Sequence, residues 1–462
     1  MSTETPNWGI EPVPERLRVL GVVDQFLLWS NLGVSLLVIV IGSFLVPGLS
    51  LRDAAVAILL GSAIGNLMLA GAGLIGADAR VPGMVLLRAP LGRLGSYAPT
   101  ALNVVQCLGW ATFELIIIAA AAAALSDELF GFTAQPLWTL VFGGVAAVLA
   151  LMGPVGVVRR FIRKFAVYFV IASLVYLTWW ALDTGGVREL WNRPGEGGTT
   201  IWHGMDLVIA VTVSWVPLIA DYTRFSRDRR SAFFGAGLGY FVAGTWMLGL
   251  GAVLVLTRGV SEPTELPAAV AAAGLAAALA LLAITVDETD EAFANIYSSG
   301  VSAQNVLQHV PQRMLVGAAA VIATVTALAI DLRDYQTFLL LLGAFFVPLF
   351  GVLLAHWSLA GAHYEPRDVF QAPAFRAELL AAWLAGFLVY QWLVPIGPAW
   401  WLDLVDGIRP ATHGLDAIGA SVPSFAVSFA LAAAAVFATR PAGRWRTSRR
   451  RRRESLPARS RT

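Results

Sequence analysis

The chain has 462 residues, 57% hydrophobic and 13% charged, and its 32 Lys and Arg against 30 Asp and Glu leave a net charge of +2. With a mean hydropathy of +0.70 and roughly half the usual share of charged residues, it is excluded from the soluble globular enzymes. Cys107 is the only cysteine, and His203, His309, His356, His363 and His413 are scattered, which excludes a disulfide-stapled domain and a Cys-rich metal site.

Residues 1–24 carry Glu4, Pro6, Pro12, Pro14, Glu15 and Arg16 and lack the apolar core of a cleavable signal, so a polar cytoplasmic tail is expected there. Beyond them the charges cluster, and the apolar runs between clusters are about 20 residues long, enough to cross ~30 Å of hydrocarbon. Twelve spans are expected, at 25–46, 54–76, 100–125, 137–152, 165–182, 205–221, 233–257, 275–300, 314–330, 335–357, 378–396 and 417–439. With the N-terminus inside, only Arg52, Arg188, Arg193, Arg258, Arg333 and Arg409 fall in outer segments, and the other 26 of the 32 basic residues fall inside. That alternation predicts a multi-pass protein of the cell inner (plasma) membrane with both termini cytoplasmic. The tail 440–462, with its run Arg449 to Arg453, reads as an anchor on anionic lipid rather than a nucleic-acid arm. It is too polar to fold.

Function inside a bilayer is read from backbone breakers and from polar groups at depth. The first span holds Trp29-Ser30-Asn31-Leu32-Gly33-Val34-Ser35 at its middle. Asn, Gly and Ser so close together permit an unwound segment whose carbonyls coordinate a cation or ligand; a packing patch of small residues has the same composition. In the third span Trp110 and Glu114 are four residues apart and share a helix face. An aromatic face beside a carboxylate suits a planar ligand with N–H donors. Stacking is worth about 1–3 kcal/mol per base, and the acid adds selectivity.

The sixth span contains Val211-Thr212-Val213-Ser214-Trp215-Val216-Pro217 and ends inside on Asp221-Tyr222-Thr223-Arg224-Phe225. Pro217 removes a backbone donor, so a kink or break is expected near mid-membrane. Spans one and six correspond if the first ten form two inverted sets of five, and matched interruptions point to a transporter's central site. In the eighth, the outer segment 261–274 reads as a loop helix, which puts Asp287-Glu288-Thr289-Asp290-Glu291 inside the span. A carboxylate facing lipid costs about 3 kcal/mol on insertion scales, so these acids must face a wet cavity, a cation or a proton. Asp287, Asp290 and Glu291 share one helix face, with Asn295 a turn further on. The other reading ends the span at Val286 and leaves 287–313 as an inner surface loop.

Five stretches, Gly9 to Arg16, Gly76 to Gly92, Asn103 to Trp110, Ala220 to Phe225 and Ala294 to Ser298, come in an order that resembles the purine–cytosine permease family. This is the nucleobase:cation symporter-1 group of cytosine permeases, hydantoin transporters and hydroxymethylpyrimidine transporters. The likeness runs from the N-terminal tail through the eighth span. It implies an all-α, leucine-transporter-like membrane fold with discontinuous helices one and six. Two inverted five-helix repeats, about 25–182 and 205–357, are joined by two extra helices over 378–439, and spans one, two, six and seven move against a scaffold of three, four, eight and nine.

Carried over by position, the resemblance implies that Trp110 stacks on the heterocycle and that Asn295 contacts it. Glu114 falls where hydantoin transporters carry a substrate-binding glutamine. The opposing aromatic is expected near Thr212, whereas the tryptophan of this chain is Trp215; Thr212, Ser214 and Trp215 all stand as candidates for that wall. In sodium-coupled relatives, carbonyls of span one and hydroxyls of span eight hold the cation. Matching positions are Asn31 to Val34, Val286, Thr289 and Asp290, so Na⁺ is a candidate at Thr289 and Asp290. A carboxylate at Asp290 departs from the family's hydroxyl, and it can hold Na⁺ or take up and release a proton. The inner loop 77–93, with Asp221 and Arg224, is expected to order the cytoplasmic gate.

The function expected is secondary active import of a nucleobase or related planar heterocycle, cytosine or a purine foremost, coupled to Na⁺ or H⁺. No cofactor, nucleic-acid partner or obligate protein partner is expected. Hydroxymethylpyrimidine, hydantoin or allantoin transport is the alternative within the family. Outside it stand an amino-acid or amine transporter on the same fold, and an ion channel, for which the repeated pore loops are missing.

Overall fold

The structure is a computed structural model and describes residues 9–157, 167–183, 186–259, 269–330 and 335–439. The inner basic segment Arg159 to Lys164, most of the loop helix expected over 261–274, Arg333 and the tail 440–462 lie outside the described residues. Among those described, secondary structure is helical, apart from an isolated bridge between Leu20 and Ser226.

The first half runs α1 (Val22–Asn31), α2 (Leu36–Ser43), α3 (Leu51–Ala79), α4 (Tyr97–Phe130), α5 (Gln135–Val157) and α6 (Val167–Leu182). The second runs α7 (Ile201–Val213), α8 (Ile219–Thr223), α9 (Gly237–Arg258), α10 (Leu275–Asp287), α11 (Thr289–Ala303), α12 (Gln312–Ala327) and α13 (Tyr335–Leu359). Last come α14 (Ala377–Leu393) and α15 (Ser421–Thr439). Of these, α3, α4, α5, α9, α13 and α15 are each long and apolar enough to cross a membrane, and α1 with α2 makes a seventh crossing as a pair bent by 63°. The helices α6, α7, α12 and α14 are apolar but shorter. A helix over Ala399–Ile408 was not foreseen; its Trp400 and Ile408 are exposed.

Local chemistry sets the interruptions. Leu32, Gly33 and Val34 turn between α1 and α2, and Ser35, in extended backbone, caps α2 by accepting from the Leu37 N–H at 3.1 Å. The α7 helix starts on Thr200, whose hydroxyl accepts from the His203 N–H, and stops at Val213. Residues 214–218 form turns around Pro217 before α8 resumes at Ile219. The freed Ser214 carbonyl accepts from Gln106 Nε2 of α4 at 2.8 Å.

Small residues let certain helices meet backbone to backbone. Gly42 of α2 faces the Leu248 carbonyl of α9, and Gly251 of α9 faces the Ile39 carbonyl of α2; a Cβ at either glycine would collide with the opposite chain. On its other flank the bundle packs α11 against α4, α5 and α12. Only Glu288 separates α10 from α11, residues 289–303 are helical, and Asp287 to Glu291 are all buried. A surface loop beginning at residue 287 is therefore not what the chain forms.

Candidate substrate and cation site

The bend between α1 and α2 faces the junction of α10 and α11, and acids from the second fill the polar gap in the first. Asn31, the last residue of α1, donates through Nδ2 to Asp287 Oδ1 at 3.0 Å and to Asp290 Oδ2 at 2.6 Å. Glu288 accepts from Ser35 Oγ at 2.6 Å and from the Leu36 N–H at 2.8 Å. That second pair is an anion set on the first turn of a helix, where backbone N–H groups are unspent. Asp287 Oδ2 and Asp290 Oδ1 have no hydrogen-bond partner in the protein. Thr289 and Val34 are buried at the same level, while the Val286 side chain is 44% exposed and turns away from the acids. Among the described residues no three His, Cys, Asp or Glu side chains stand in metal-ligating geometry. A cation here would rest on Asp290 and its hydroxyl and carbonyl neighbours.

One turn along α11, Asn295 Nδ2 donates to Glu114 Oε1 of α4 at 2.9 Å and to the Glu291 carbonyl at 3.3 Å. Glu114 Oε2, Glu291 Oε1 and Trp110 Nε1 are buried without a partner in the protein. The Trp110 ring meets Tyr335 and Phe338 of α13 edge-on, with centroids 5.6 and 5.7 Å away. The fold thus brings Trp110, Glu114 and Asn295 together from two helices nearly two hundred residues apart in sequence.

The sixth-span candidates are engaged elsewhere. Thr212 donates back to the Val208 carbonyl at 3.3 Å and packs on Gly65 of α3. Ser214 Oγ donates to the Val211 carbonyl at 2.8 Å. Trp215 donates through Nε1 to Tyr240 Oη at 3.0 Å and sits edge-on to Trp29, at 5.7 Å between centroids. In this structure the aromatic neighbours of Trp110 come from α13, not from the break after α7.

The end of the bundle beside the N-terminal tail is closed by hydrogen bonds. Asp221 Oδ1 accepts from the Gly83 N–H at 2.9 Å, and Gly83 approaches the Pro217 carbonyl too closely for any side chain. Arg224, fully buried, donates to the Asp221 carbonyl, to the Gly9 carbonyl of the N-terminal tail at 2.8 Å and to Tyr297 Oη at 3.0 Å. Tyr222 Oη donates to the Ala294 carbonyl of α11 at 3.0 Å. A second knot centres on Asp78 at the end of α3. One of its oxygens meets Arg229 and His363, and the other accepts from Trp357 Nε1 at 2.9 Å and the Tyr364 N–H at 3.0 Å. The loop 77–93 folds into two short buried helices, and Arg88 donates to Asn305 Oδ1 at 2.6 Å.

Sequence reasoning did not assign Ser35 as the partner of Glu288, nor the roles of Gln106, Tyr335 and Phe338. Gln25 was also missed, although Gln25 and Trp29, four apart on α1 and joined by a 3.1 Å hydrogen bond, carried a readable signal.

Long apolar helices wrapped around a buried polar centre, with a bent helix pair facing intramembrane acids, define an integral membrane transporter. The family described as a permease for cytosine/purines, uracil, thiamine and allantoin matches residues 12–371, and the chain belongs to that family. Cytosine permease of Escherichia coli (strain K12) is 24% identical over 399 residues, which cover 85% of this chain and 90% of that protein. Hydantoin permease of Microbacterium maritypicum is 28% identical over 142 residues, 30% of this chain and 28% of that one. Among solved structures, Mhp1, a nucleobase-cation-symport-1 family transporter in a closed conformation with bromovinylhydantoin bound, superposes with a TM-score of 0.77 at 18% identity. The match covers 94% of this chain and 96% of Mhp1. A Na⁺-coupled sialic acid symporter in an outward-open state shares the fold at a TM-score of 0.57 and 12% identity. The chain is accordingly a multi-pass membrane transporter and not an enzyme.

Proposed function

We propose that the chain imports a nucleobase or related planar heterocycle, with cytosine or a purine foremost, by symport with Na⁺ or H⁺. The observation that carries this reading is the convergence of Trp110, Glu114 and Asn295, with Trp110 Nε1 and Glu114 Oε2 left without protein partners. Trp110 supplies the stacking face, and Glu114 and Asn295 read the ring edge. Asn31, Val34, Thr289 and Asp290 line the coupling-ion locus at the α1–α2 bend, to which Val286 contributes backbone only. Asp221 and Arg224 hold the inner gate. Thr212, Ser214 and Trp215 form the facing wall once the α7 break rearranges.

The same reading takes twelve spans across the plasma membrane, of which one and six are discontinuous, with both tails cytoplasmic and no cofactor beyond the coupling ion. It takes 25–182 and 205–357 as inverted repeats and 378–439 as accessory helices. Substrate and cation both favour the occluded state, and coupling follows because the site is best formed when both are bound. Hydroxymethylpyrimidine, hydantoin and allantoin are the alternative cargoes.

The test is uptake of labelled cytosine by cells lacking their own permease, with external Na⁺ present or replaced by choline. Saturable, Na⁺-dependent uptake makes Asp290 a metal ligand. Saturable uptake indifferent to Na⁺ makes it a proton carrier. Surface-expressed protein with no uptake in either medium removes cytosine and moves the alternative cargoes forward.

A further inference from the structure

Residues 394–420 join the end of α14 to the start of α15, and within them Ala399–Ile408 is helical. At about 3.6 residues per turn its side chains fall into three sectors. Trp401, Leu402 and Val405 turn toward the bundle. Val405 is buried, and Trp401 donates through Nε1 to Gln391 Oε1 of α14 at 3.0 Å, with its ring 6.0 Å from that of Phe387. Trp400, Leu404 and Ile408, each four residues from the next, form a stripe that is 68%, 49% and 73% exposed. Asp403, Asp406 and Gly407 make the third sector and are exposed too, with Asp406 paired to Arg409 at 2.9 Å. A helix surrounded by water gains nothing from the stripe, and one sunk in hydrocarbon would carry its aspartates at a cost of several kcal/mol. A helix lying flat in a bilayer surface beside the bundle has this division: protein along one flank, acyl chains beneath and water above.

Hydrogen bonds hold the helix at one end of the bundle. Trp392 Nε1, on the last turn of α14, donates to the Pro410 carbonyl at 2.9 Å and draws the chain leaving the helix back to α14. Further on, His203 Nε2 lies 3.0 Å from the Asp416 carbonyl, and Asp206 of α7 accepts from the Ala420 and Ser421 N–H groups at 2.6 and 2.9 Å. The connection is thus fastened where α14 ends and where α7 and α15 begin, at the end of the sixth span opposite the Leu20–Ser226 bridge. Membrane crossings meet the lipid headgroups at their ends, and tryptophan is the residue enriched there; Trp202, exposed on the first turn of α7, and Trp400 fit that level.

We propose that Ala399–Ile408 is a membrane-surface foot, which rests its Trp400, Leu404 and Ile408 stripe at the boundary of headgroups and acyl chains in a phospholipid bilayer. The inference concerns a surface remote from the substrate and cation site, and it stands whichever cargo is carried. The stripe extends the apolar surface that α14 exposes at Leu384 and Leu388 and α15 at Val422. A second copy of the chain fits it poorly, because three side chains fall short of the roughly 20–30 residues a side that a stable protein interface uses. Charge narrows the lipid. The sector beside the stripe carries Asp403 and Asp406 against the single Arg409, so zwitterionic headgroups are the ones it meets without repulsion. No electrostatic attraction is needed, since the apolar helices on either side already hold the foot at the surface.

The experiment places single cysteines by Leu404→Cys, Ile408→Cys and Asp403→Cys in the full-length chain. Cys107 is buried and inert to the label, and the parent chain serves as the blank. Each variant, its folding checked by a melting curve, carries an environment-sensitive fluorophore in phosphatidylcholine vesicles. Two quenchers are compared: lipid brominated near the head of its acyl chain, and iodide on both sides of the membrane. The labels at 404 and 408 are expected to emit to the blue of the label at 403 and to lose most of their intensity to brominated lipid but little to iodide. The label at 403 is expected to show the reverse order. Equal quenching of the labels at 404 and 403 by iodide puts the stripe in water and overturns the foot. Shielding of 404 and 408 from both quenchers overturns it as well, and relief of that shielding on diluting the protein in lipid assigns the stripe to a second copy.

Discussion

Asp78, at the C-terminal end of α3, and the acids at the α10–α11 junction are both buried, yet the chain surrounds them in opposite ways. Around Asp78 the donors are complete: Arg229, His363, Trp357 Nε1 and the Tyr364 N–H together occupy both oxygens. At the junction the donors run short, since Asp287, Asp290, Glu114 and Glu291 each keep one oxygen without a partner. A carboxylate out of water costs several kcal/mol unless it is paired, so a satisfied acid fastens helices together and an unsatisfied one waits for something that arrives. The knot at Asp78 joins α3 to the segments following α8 and α13. The junction acids instead face the bend of the helix pair, the locus proposed above for the coupling ion.

The contrast is broken most severely by Trp110→Ala. Removing the stacking face costs about 1–3 kcal/mol, roughly 5- to 150-fold in affinity, and saturable uptake is expected to fall to background. Unimpaired uptake in that variant refutes the site. Asp290→Ala sharpens the contrast: residual uptake is expected to lose its dependence on the imposed cation gradient, and retained dependence takes Asp290 out of the coupling role. Asp78→Ala is expected to lower stability by roughly 2 kcal/mol, as four donors lose their acceptor, and to leave substrate preference unchanged. A melting curve beside a substrate titration reads it, and a changed substrate preference contradicts the structural assignment. The smallest effect belongs to His363→Ala, whose side chain is 55% exposed; under about 1 kcal/mol is expected from the same melt.

What the sequence disclosed follows from what is expensive in a membrane. Acids at 287–291 and a proline at 217 break strong rules, so they stood out against the apolar background, and both mark real features of the fold. Trp110 and Glu114 were legible because helical periodicity alone places them on one face, with the resemblance adding Asn295. Partners supplied by distant segments were not legible. Nothing local tells that Ser35 meets Glu288, that Trp215 turns to Tyr240, or that Asp78 collects His363 and Trp357, because those choices are made by tertiary packing. The candidate wall across Thr212, Ser214 and Trp215 shows this most plainly: the helix break was readable, but the direction of its side chains was not.

The two glycines that lock α2 to α9 have a mechanical consequence. With Gly42 against one backbone and Gly251 against the other, neither helix can slide or roll alone without a steric clash, and the two behave as a single stiff rod. Ser35, tethered to Glu288, lies beside the middle of α9, and α9 runs back from there through the π-wound turn Ser231–Ala236 toward Arg229, which grips Asp78. A displacement of α2 is therefore shared by α9, so that the bend held by Glu288 and the Arg229–Asp78 contact belong to one connected unit.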